Sequence, residues 1–168
     1  VCLLIVLILI MDISILKEPA RSNPGTDRSE KSEADLYITS DSELASSSFV
    51  RSGEGTSSSP YIISDWDMEG HSIRIENTVS HLLMRNITLE ASLFRGLTIS
   101  HASNIEVRNI TCDSRKEFLF LSDCTNILFD GCNVTSIPTS TRVVDVRNVA
   151  GIRITNSSFS RKQDSTSA

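Results

Sequence analysis

A repeat of apolar pairs constrains the fold of this chain more than any other feature of the sequence. In each copy two apolar residues stand two positions apart, and successive copies lie 23, 22 and 25 residues apart. A second series of pairs follows this one and a third precedes it, in the same register. A fixed period of this length is typical of a solenoid. The first residues of the central series are Leu82, Ile105, Ile127 and Ile152.

The spacing inside each repeat favours strands. Apolar residues two apart form one face of a strand, and the i, i+3, i+4 spacing of a helix is absent from the repeats. A leucine-rich repeat has a similar length, but it needs a helical or 3₁₀ return segment and fits worse. The sequence therefore predicts an all-β fold. It is a right-handed, single-stranded parallel β-helix of about four to five rungs, with 22–25 residues per rung.

The repeats also predict which residues face the interior and which form the corners. Asn86, Asn109, Gly131 and Asn156 fall at one corner, where asparagine and glycine tolerate left-handed backbone. Trp66 belongs to a first, incomplete rung and is large enough to close that end of the stack. The predicted structural core includes Trp66, Leu82, Ile105, Ile127 and Ile152.

Composition divides the chain into four parts. Residues 1–16 are apolar but shorter than the about 20 residues of a membrane span, so they suit a secretory signal, or an N-terminal membrane anchor if they are retained. Residues 17–34 are polar and lack periodicity, which predicts a disordered linker. The β-helix domain covers 35–160, with an N-terminal strand and capping partial rung at 35–71 and four rungs at 72–160. A polar tail follows at 161–168, after which we expect further rungs or domains in a longer protein.

Charge and composition limit the classes of partner. The net charge is −5, so the chain lacks the basic surface that nucleic acid requires, and we expect no nucleic-acid partner. Only 5% of the residues are aromatic, which predicts an aliphatic core. Contact with a membrane is expected only through the N-terminal segment.

Catalysis by a polysaccharide lyase or hydrolase would need carboxylates close together on one outward face. Asp123 and Asp145 are the best acidic candidates, and His101 aligns with Asp123 on the preceding rung. Neither acid has a second acid in its column. We therefore expect solvated surface carboxylates and predict no catalytic site, although an enzyme remains the alternative.

Metal binding has little support in the sequence. His71, His81 and His101 share no column and no short spacing, so copper has no predicted ligand cluster. Calcium has no specific support in the sequence either, and no cofactor is expected. Cys112 and Cys132 fall at inward positions that are diagonal across adjacent rungs. This offset exceeds the usual span of a disulfide, so buried free thiols are favoured over a bridge.

Four sequons of the form N-x-[ST] occur in the repeats, and in an exported protein they are candidate glycosylation sites. Three of the asparagines occupy the predicted left-handed corner, which offers a structural explanation for them and is the favoured interpretation. The four candidates are Asn86, Asn109, Asn133 and Asn156.

The run GEGTSSSPYIISDWDMEG, from Gly53 to Gly70, is the most specific local signature. It is preceded by LYITSDSEL, read as a short strand, and followed by I-x-I-x-N and S-N-I-x-V-x-N rungs. Together these resemble archaeal and bacterial surface β-helix proteins of the NosD-like superfamily, also called the carbohydrate-binding and sugar-hydrolase (CASH) superfamily. The resemblance covers about Asp35 to Ser160. It implies a parallel β-helix, and its members include pectin-degrading enzymes, mannuronan epimerases and a periplasmic copper-accessory protein.

These observations lead to one functional expectation with two alternatives. We expect an exported β-helix module, located at the cell surface, outside the cell or in the periplasm. Its role would be structural, or it would bind carbohydrate or another ligand, with polysaccharide or envelope components as partners. The first alternative is a fragment of a polysaccharide-active lyase, hydrolase or epimerase. The second is a NosD-like copper-accessory protein.

Overall fold

The computed structural model describes residues 29–90, 95–114, 118–136 and 143–161. The expected signal or anchor at 1–16, linker residues 17–28 and tail residues 162–168 lie outside them. The described chain is a parallel β-solenoid of about four turns, as the repeats predict. Its elements are β1 (Glu30–Lys31), β2 (Leu36–Ile38), α1 (Asp41–Ser46), β3 (Val50–Ser52), β4 (Tyr61–Glu69), β5 (Ile73–Glu76), β6 (Leu82–Glu90), β7 (Leu97–Ser100), β8 (Ser103–Ser114), β9 (Leu119–Asp130), β10 (Asn133–Ser136), β11 (Val144–Thr155) and β12 (Ser158–Arg161).

Three parallel faces surround the core, because the longer strands bend at the corners and contribute to two faces each. The first face contains β2, β5 and β7 and the opening halves of β9 and β11. The second contains the N-terminal halves of β4, β6 and β8 and the C-terminal halves of β9 and β11. The third contains β1, the C-terminal halves of β4, β6 and β8, and the short strands β10 and β12.

The register confirms the predicted columns of inward residues. Tyr61 pairs with Leu82, and the column continues through Ile105, Ile127 and Ile152. Leu82, Ile105 and Ile127 are buried, whereas Ile152, in the last described coil, remains 36% exposed. Within 72–160 the described residues contain no α-helix, as expected from the spacing. The apolar side chains of successive coils therefore form one continuous core.

Left-handed residues make the corners, as the asparagines predict. Asn86, Asn109, Gly131 and Asn156 all have φ between 49° and 65°. A Cβ at Gly131 would come within 2.6 Å of the Asn109 side chain, so glycine both permits the turn and leaves room for its neighbour. A further column of residues with left-handed backbone, not predicted from the sequence, comes directly after the first-face segment of each coil. Its members are Asn77, His101, Asp123 and Asn148.

That missed corner creates a short fourth side with its own inward column. Thr78, Ala102 and Cys124 are buried there, and Val149 is partly buried. Backbone hydrogen bonds run from Ser103 N–H to the Thr78 carbonyl and from Thr125 N–H to the Ala102 carbonyl, so these residues stack in register. A sequence period of two cannot reveal a side that contributes one inward residue per coil.

The N-terminal end of the stack is covered. Helix α1 carries the fully buried Leu44, and the Ser40 hydroxyl accepts a hydrogen bond from the Glu43 N–H at its start. The Asp41 carboxylate accepts backbone hydrogen bonds from Val79 and Ser80, which ties the helix to the next coil. The expectation that LYITSDSEL is one strand is wrong. Strand β2 ends at Ile38, and Ser40 caps a helix that begins at Asp41.

Trp66 lies at this end as expected, but it does not close the end alone. Its ring contacts Phe49, with centroids 4.8 Å apart, and the Arg51 guanidinium lies 4.6 Å from it. Strand β1 pairs with Trp66 and Asp67, and Glu30 forms an ion pair with Arg51. The predicted disordered linker is therefore wrong at its end, because backbone pairing orders Glu30 and Lys31 despite their polarity.

Among the described residues, none lies in a helix of the length and apolar character that crossing a membrane requires.

Candidate ligand-binding groove

The outward side of the first face carries the richest group of polar and aromatic side chains. Strand pairing places one residue of each coil in a single outward column. Its members, in order along the stack, are Tyr37, Arg74, Thr98, Phe120 and Asp145. Neighbouring members are about 4.8 Å apart, so Tyr37 and Phe120 are separated by about 14 Å.

Arginine side chains lie against both rings. The Arg74 guanidinium is 5.1 Å from the centroid of Tyr37. Arg95 and Arg147 lie 4.1 and 5.3 Å from the centroid of Phe120. A cation over an aromatic face is attracted by the ring quadrupole, which holds both partners in place. The arginine stems and rings therefore form a semi-rigid platform along the face.

Glu76 organises the polar part of the platform. Its carboxylate is 2.7 Å from a guanidinium nitrogen of Arg74, and it accepts hydrogen bonds from the Ser100 hydroxyl at 2.9 Å and the Tyr37 hydroxyl at 3.3 Å. Burial pushes the pKa of Glu76 upward, but the hydrogen bonds from Arg74, Ser100 and Tyr37 and the charge of Arg74 outweigh it and hold the pKa below its usual value. Glu76 is therefore an ionised acceptor near neutral pH.

These side chains line an open groove of about 670 Å³. Two acids and two arginines contribute to its walls, so its charges balance. The residues that define the groove are Asp35, Tyr37, Arg74, Glu76, Arg95 and Phe120. Asp145 and Arg147 lie beside it as a bidentate ion pair, with nitrogen–oxygen distances of 2.6 and 3.2 Å. We call this site the Tyr37–Phe120 groove.

The arrangement can bind an elongated polar ligand. Ion-paired guanidinium and carboxylate groups offer donors and acceptors in fixed positions, and aromatic rings offer apolar surface beside them. A concave site with a few oriented polar groups is the usual form of a ligand site. The groove is not among the sites expected from the sequence, although Phe120 is an apolar residue at an outward position. The period-two pattern places Tyr37 and Phe120 at outward positions, but only the strand register shows that they belong to one column.

The structure brings the candidates Asp123 and His101 together at the left-handed corner. His101 Nε2 lies 3.6 Å from the Asp123 carboxylate, and Asn148 donates a hydrogen bond of 2.6 Å to the same group. Hydrogen bonds from Ser122 and Asn148, with a smaller effect of His101, lower the pKa of Asp123. A general acid needs a raised pKa, so Asp123 is suited to stabilise its corner and poorly suited to donate a proton.

Asp145 occupies a different column and does not join Asp123. The expectation of a solvated carboxylate is wrong for Asp145, because its side chain is buried against Arg147, two residues further along the same strand. The Tyr37–Phe120 groove therefore lies next to Asp145, while Asp123 and His101 lie at the corner beyond the outward column.

The four sequon asparagines lie in two different environments. Asn86, Asn109 and Asn156 occupy the left-handed corner, and their side-chain amides donate hydrogen bonds to Asp65, Asn86 and Asp130 respectively. Asn133 lies on strand β10, exposed and outside the corner. The corner role explains the asparagine at three of the four positions. Glycosylation of these residues stays a prediction.

The cysteines and histidines form no metal site in the described part of the chain. Cys112, Cys124 and Cys132 are buried free thiols, and Cys112 pairs in register with Val134, which confirms the diagonal offset from Cys132. Burial raises the pKa of Cys112 to about 12. No group of three or more His, Cys, Asp or Glu side chains in the ranges given above could hold a metal ion.

Comparison with protein-family models, with curated proteins and with solved structures finds no significant match to this chain.

Proposed function

We propose that this chain is a carbohydrate-binding β-solenoid module that holds an uncharged glycan in the Tyr37–Phe120 groove. The observation that carries the proposal is the juxtaposition of two outward aromatic rings with balanced arginine and carboxylate groups. Sugar hydroxyls can both donate and accept hydrogen bonds, which matches ion-paired guanidinium and carboxylate groups. The apolar faces of sugar rings match exposed aromatic surface, and Tyr37 is 54% exposed beside its arginine.

Charge balance favours a neutral glycan over an acidic one. Arg74 is paired with Glu76, and Arg147 with Asp145, so a uronate carboxylate entering the groove would meet acceptors as well as donors. The repulsion from Glu76, Asp35 and Asp145 would offset the attraction of the arginines. An uncharged sugar hydroxyl does not meet this electrostatic repulsion.

The setting of this module is part of the same proposal. The apolar segment 1–16 is typical of an export signal or anchor, and the resemblance to NosD-like and CASH β-helix proteins supports a role at the cell surface or in the periplasm. Polysaccharide of the envelope is the partner that fits this location.

A polysaccharide-active enzyme is the second candidate, because His101 and Asp123 form a His–carboxylate pair. The lowered pKa of Asp123 disfavours a general-acid role, and hydrogen bonds from Ser122 and Asn148 hold its carboxylate at the corner. A NosD-like copper role has less support, since the described residues lack a metal-ligand cluster.

Affinity electrophoresis tests the proposal. The purified chain is run through native gels that contain neutral polysaccharides (β-glucan, mannan, xylan) or acidic ones (alginate, pectin). We expect retardation by at least one neutral polysaccharide and weaker or no retardation by the acidic ones. Retardation by acidic polysaccharides alone, or by none, would overturn the proposal.

The same samples distinguish binding from catalysis. Each polysaccharide is incubated with the chain, with and without calcium, and new reducing or unsaturated ends are followed over time. The binding proposal expects no product. Steady product release that Asp123→Asn or Asp145→Asn abolishes would establish the enzyme alternative instead.

A further inference from the structure

Asn133 differs from the other three sequon asparagines in what its side-chain amide does. Asn86, Asn109 and Asn156 each donate a side-chain hydrogen bond of 2.9–3.4 Å to a residue of the preceding coil. Asn133 is exposed on β10, and its side chain forms no hydrogen bond with any residue of the described ranges. Of the four amide nitrogens, the one of Asn133 is therefore open to substitution.

The corner accounts for three asparagines but not for the fourth. Gly131 occupies the corner position of its coil with a φ of 65°, so that coil needs no asparagine there. Its asparagine stands two residues later, in register with Thr111 and Ser158. Asparagine is depleted in strands, and this strand position asks for neither a left-handed backbone nor an amide. Asn133 thus has no structural role that explains it.

A sugar on a corner asparagine would disturb the stack. The amide nitrogens there point along the solenoid, because their acceptors are side chains of the preceding coil. Asn109 is closely surrounded: its nitrogen lies 3.4 Å from the Asn86 oxygen, and its own oxygen lies 2.6 Å from the position of a Cβ added at Gly131. A sugar bonded to this nitrogen would displace the side chain of the adjacent coil and weaken the corner.

The third face leaves room beside Asn133. Its neighbours in the outward column, Thr111 and Ser158, are exposed and have short hydroxyl side chains. Thr135, the last residue of the sequon, points to the same side as Asn133, whereas Val134 between them is buried in the core. A sugar on Asn133 therefore extends away from the core, and its hydroxyls find hydrogen-bonding partners in the adjacent hydroxyl side chains.

We propose that Asn133 carries an N-linked glycan and that the three corner asparagines do not. The donor is a sugar whose anomeric carbon is bonded to a diphosphate. The amide nitrogen of Asn133 forms a bond to that carbon, and the diphosphate leaves with the electron pair of the broken carbon–oxygen bond. The nitrogen gives up one proton and keeps the other. This inference rests on the export that the proposed function includes, because sequons are modified in exported proteins.

The modified site and the Tyr37–Phe120 groove lie on different faces of the solenoid. Asn133 belongs to the third face through β10, and the groove follows the outward column of the first face. The attached glycan therefore covers one side of the module and leaves the ligand-binding side open.

Site mapping of the secreted protein tests the proposal. The full chain is placed behind a secretion signal of cultured human cells, so that its delivery to the glycosylation machinery does not depend on residues 1–16. Glycans are released with peptide-N-glycosidase in heavy-oxygen water, which marks each formerly modified asparagine in a peptide map. We expect the mark at Asn133 in most molecules and at none of the corner asparagines. A mark at a corner asparagine of the secreted protein, or an unmodified Asn133, would overturn the proposal.

Two matched variants on the same face check the assignment. Thr135→Ala removes the sequon of Asn133, and Thr111→Ala removes that of Asn109, while both asparagines stay in place. We expect Thr135→Ala to be secreted without glycan and Thr111→Ala to be glycosylated like the wild type. Loss of the glycan in Thr111→Ala would contradict the proposal. Chains retained in the cell are mapped as well, and a corner asparagine modified more fully than Asn133 in them would also contradict it.

Affinity electrophoresis of the glycosylated and the enzymatically deglycosylated protein separates this inference from the proposed function. We expect the same retardation by neutral polysaccharide in both forms, because the glycan and the groove lie on different faces. Retardation that appears only after deglycosylation would overturn the placement of the glycan away from the groove. Absence of retardation in both forms would contradict the groove as a glycan site, and the peptide map would still decide the assignment of Asn133.

Discussion

Asn126 donates a hydrogen bond from its side-chain amide to the Asn104 side-chain oxygen, 2.9 Å away and one coil earlier, and both residues have left-handed backbone. Asn104 in turn donates to the carbonyl of Val79. Each asparagine therefore stabilises its corner in two ways: its backbone adopts a positive φ, and its side chain forms a hydrogen bond to the adjacent coil. The same principle operates at the corner of Asn86 and Asn109.

Asn126→Ala should destabilise the domain by about 1–3 kcal/mol, because alanine disfavours left-handed backbone and cannot make the side-chain hydrogen bond. Asn126→Gly should cost less, since glycine keeps the backbone conformation. Asn133→Ala, on a strand outside the corners, is the control and should change stability by less than about 0.5 kcal/mol. Urea denaturation measures all three. Equal losses in Asn126→Ala and Asn133→Ala would contradict the corner role.

Ile127→Asp should abolish folding. Ile127 is 1% exposed in a central coil, and burial of an unpaired carboxylate costs several kcal/mol, comparable to the whole stability of a small domain. Ile152→Asp should be tolerated better, because Ile152, in the last described coil of the same column, is 36% exposed. Soluble expression and thermal melting check both. A cooperative melt of Ile127→Asp would refute the inward assignment.

The sequence predicts the fold well where one rule acts on every coil. Residues such as Leu82 and Ile105 repeat with a period that only stacked strands satisfy, and the asparagines mark one corner directly. The corner of Asn77, His101, Asp123 and Asn148 is not evident from the sequence, because histidine and aspartate there conceal the left-handed requirement. Helix α1 is not evident either, because six residues are too few for a periodic signal.

The groove was harder to predict for a different reason. Tyr37 and Arg74 belong to strands whose outward residues look like ordinary surface, and Arg95 comes from the segment before β7. Only the strand register shows that they converge. A sequence pattern identifies which side of a strand is outward, but it does not show which outward residues of separate coils share a site.

Asp123 should make the stability depend on pH in the acid range. Its folded-state pKa is lowered by hydrogen bonds from Ser122 and Asn148. The stabilisation is thus fully present above the usual value of 3.8 and is lost as pH falls through the lowered folded-state pKa. We expect the wild type to melt above Asp123→Asn near neutral pH, with a difference that shrinks below the usual value. A difference that is independent of pH would contradict this assignment.

Cys112 should be unreactive in the native protein. Its thiol is buried, with a pKa of about 12, so almost no thiolate forms near neutral pH. We expect iodoacetamide to label Cys112 only after denaturation, as measured by peptide mass spectrometry. Rapid labelling of native protein at Cys112 would show that this part of the core opens.

Calorimetric titration of a neutral oligosaccharide into the wild type and Tyr37→Ala tests the central claim most directly. Tyr37 is 54% exposed, so its removal should leave the fold intact while it deletes one end of the platform. Leu83→Ala, on the outward side of the second face, is the matched control. We predict an affinity loss of about tenfold or more in Tyr37→Ala, as for a residue worth more than about 1.4 kcal/mol of binding, and less than about twofold in Leu83→Ala. Unchanged binding in Tyr37→Ala would contradict the assignment of the Tyr37–Phe120 groove as the glycan site.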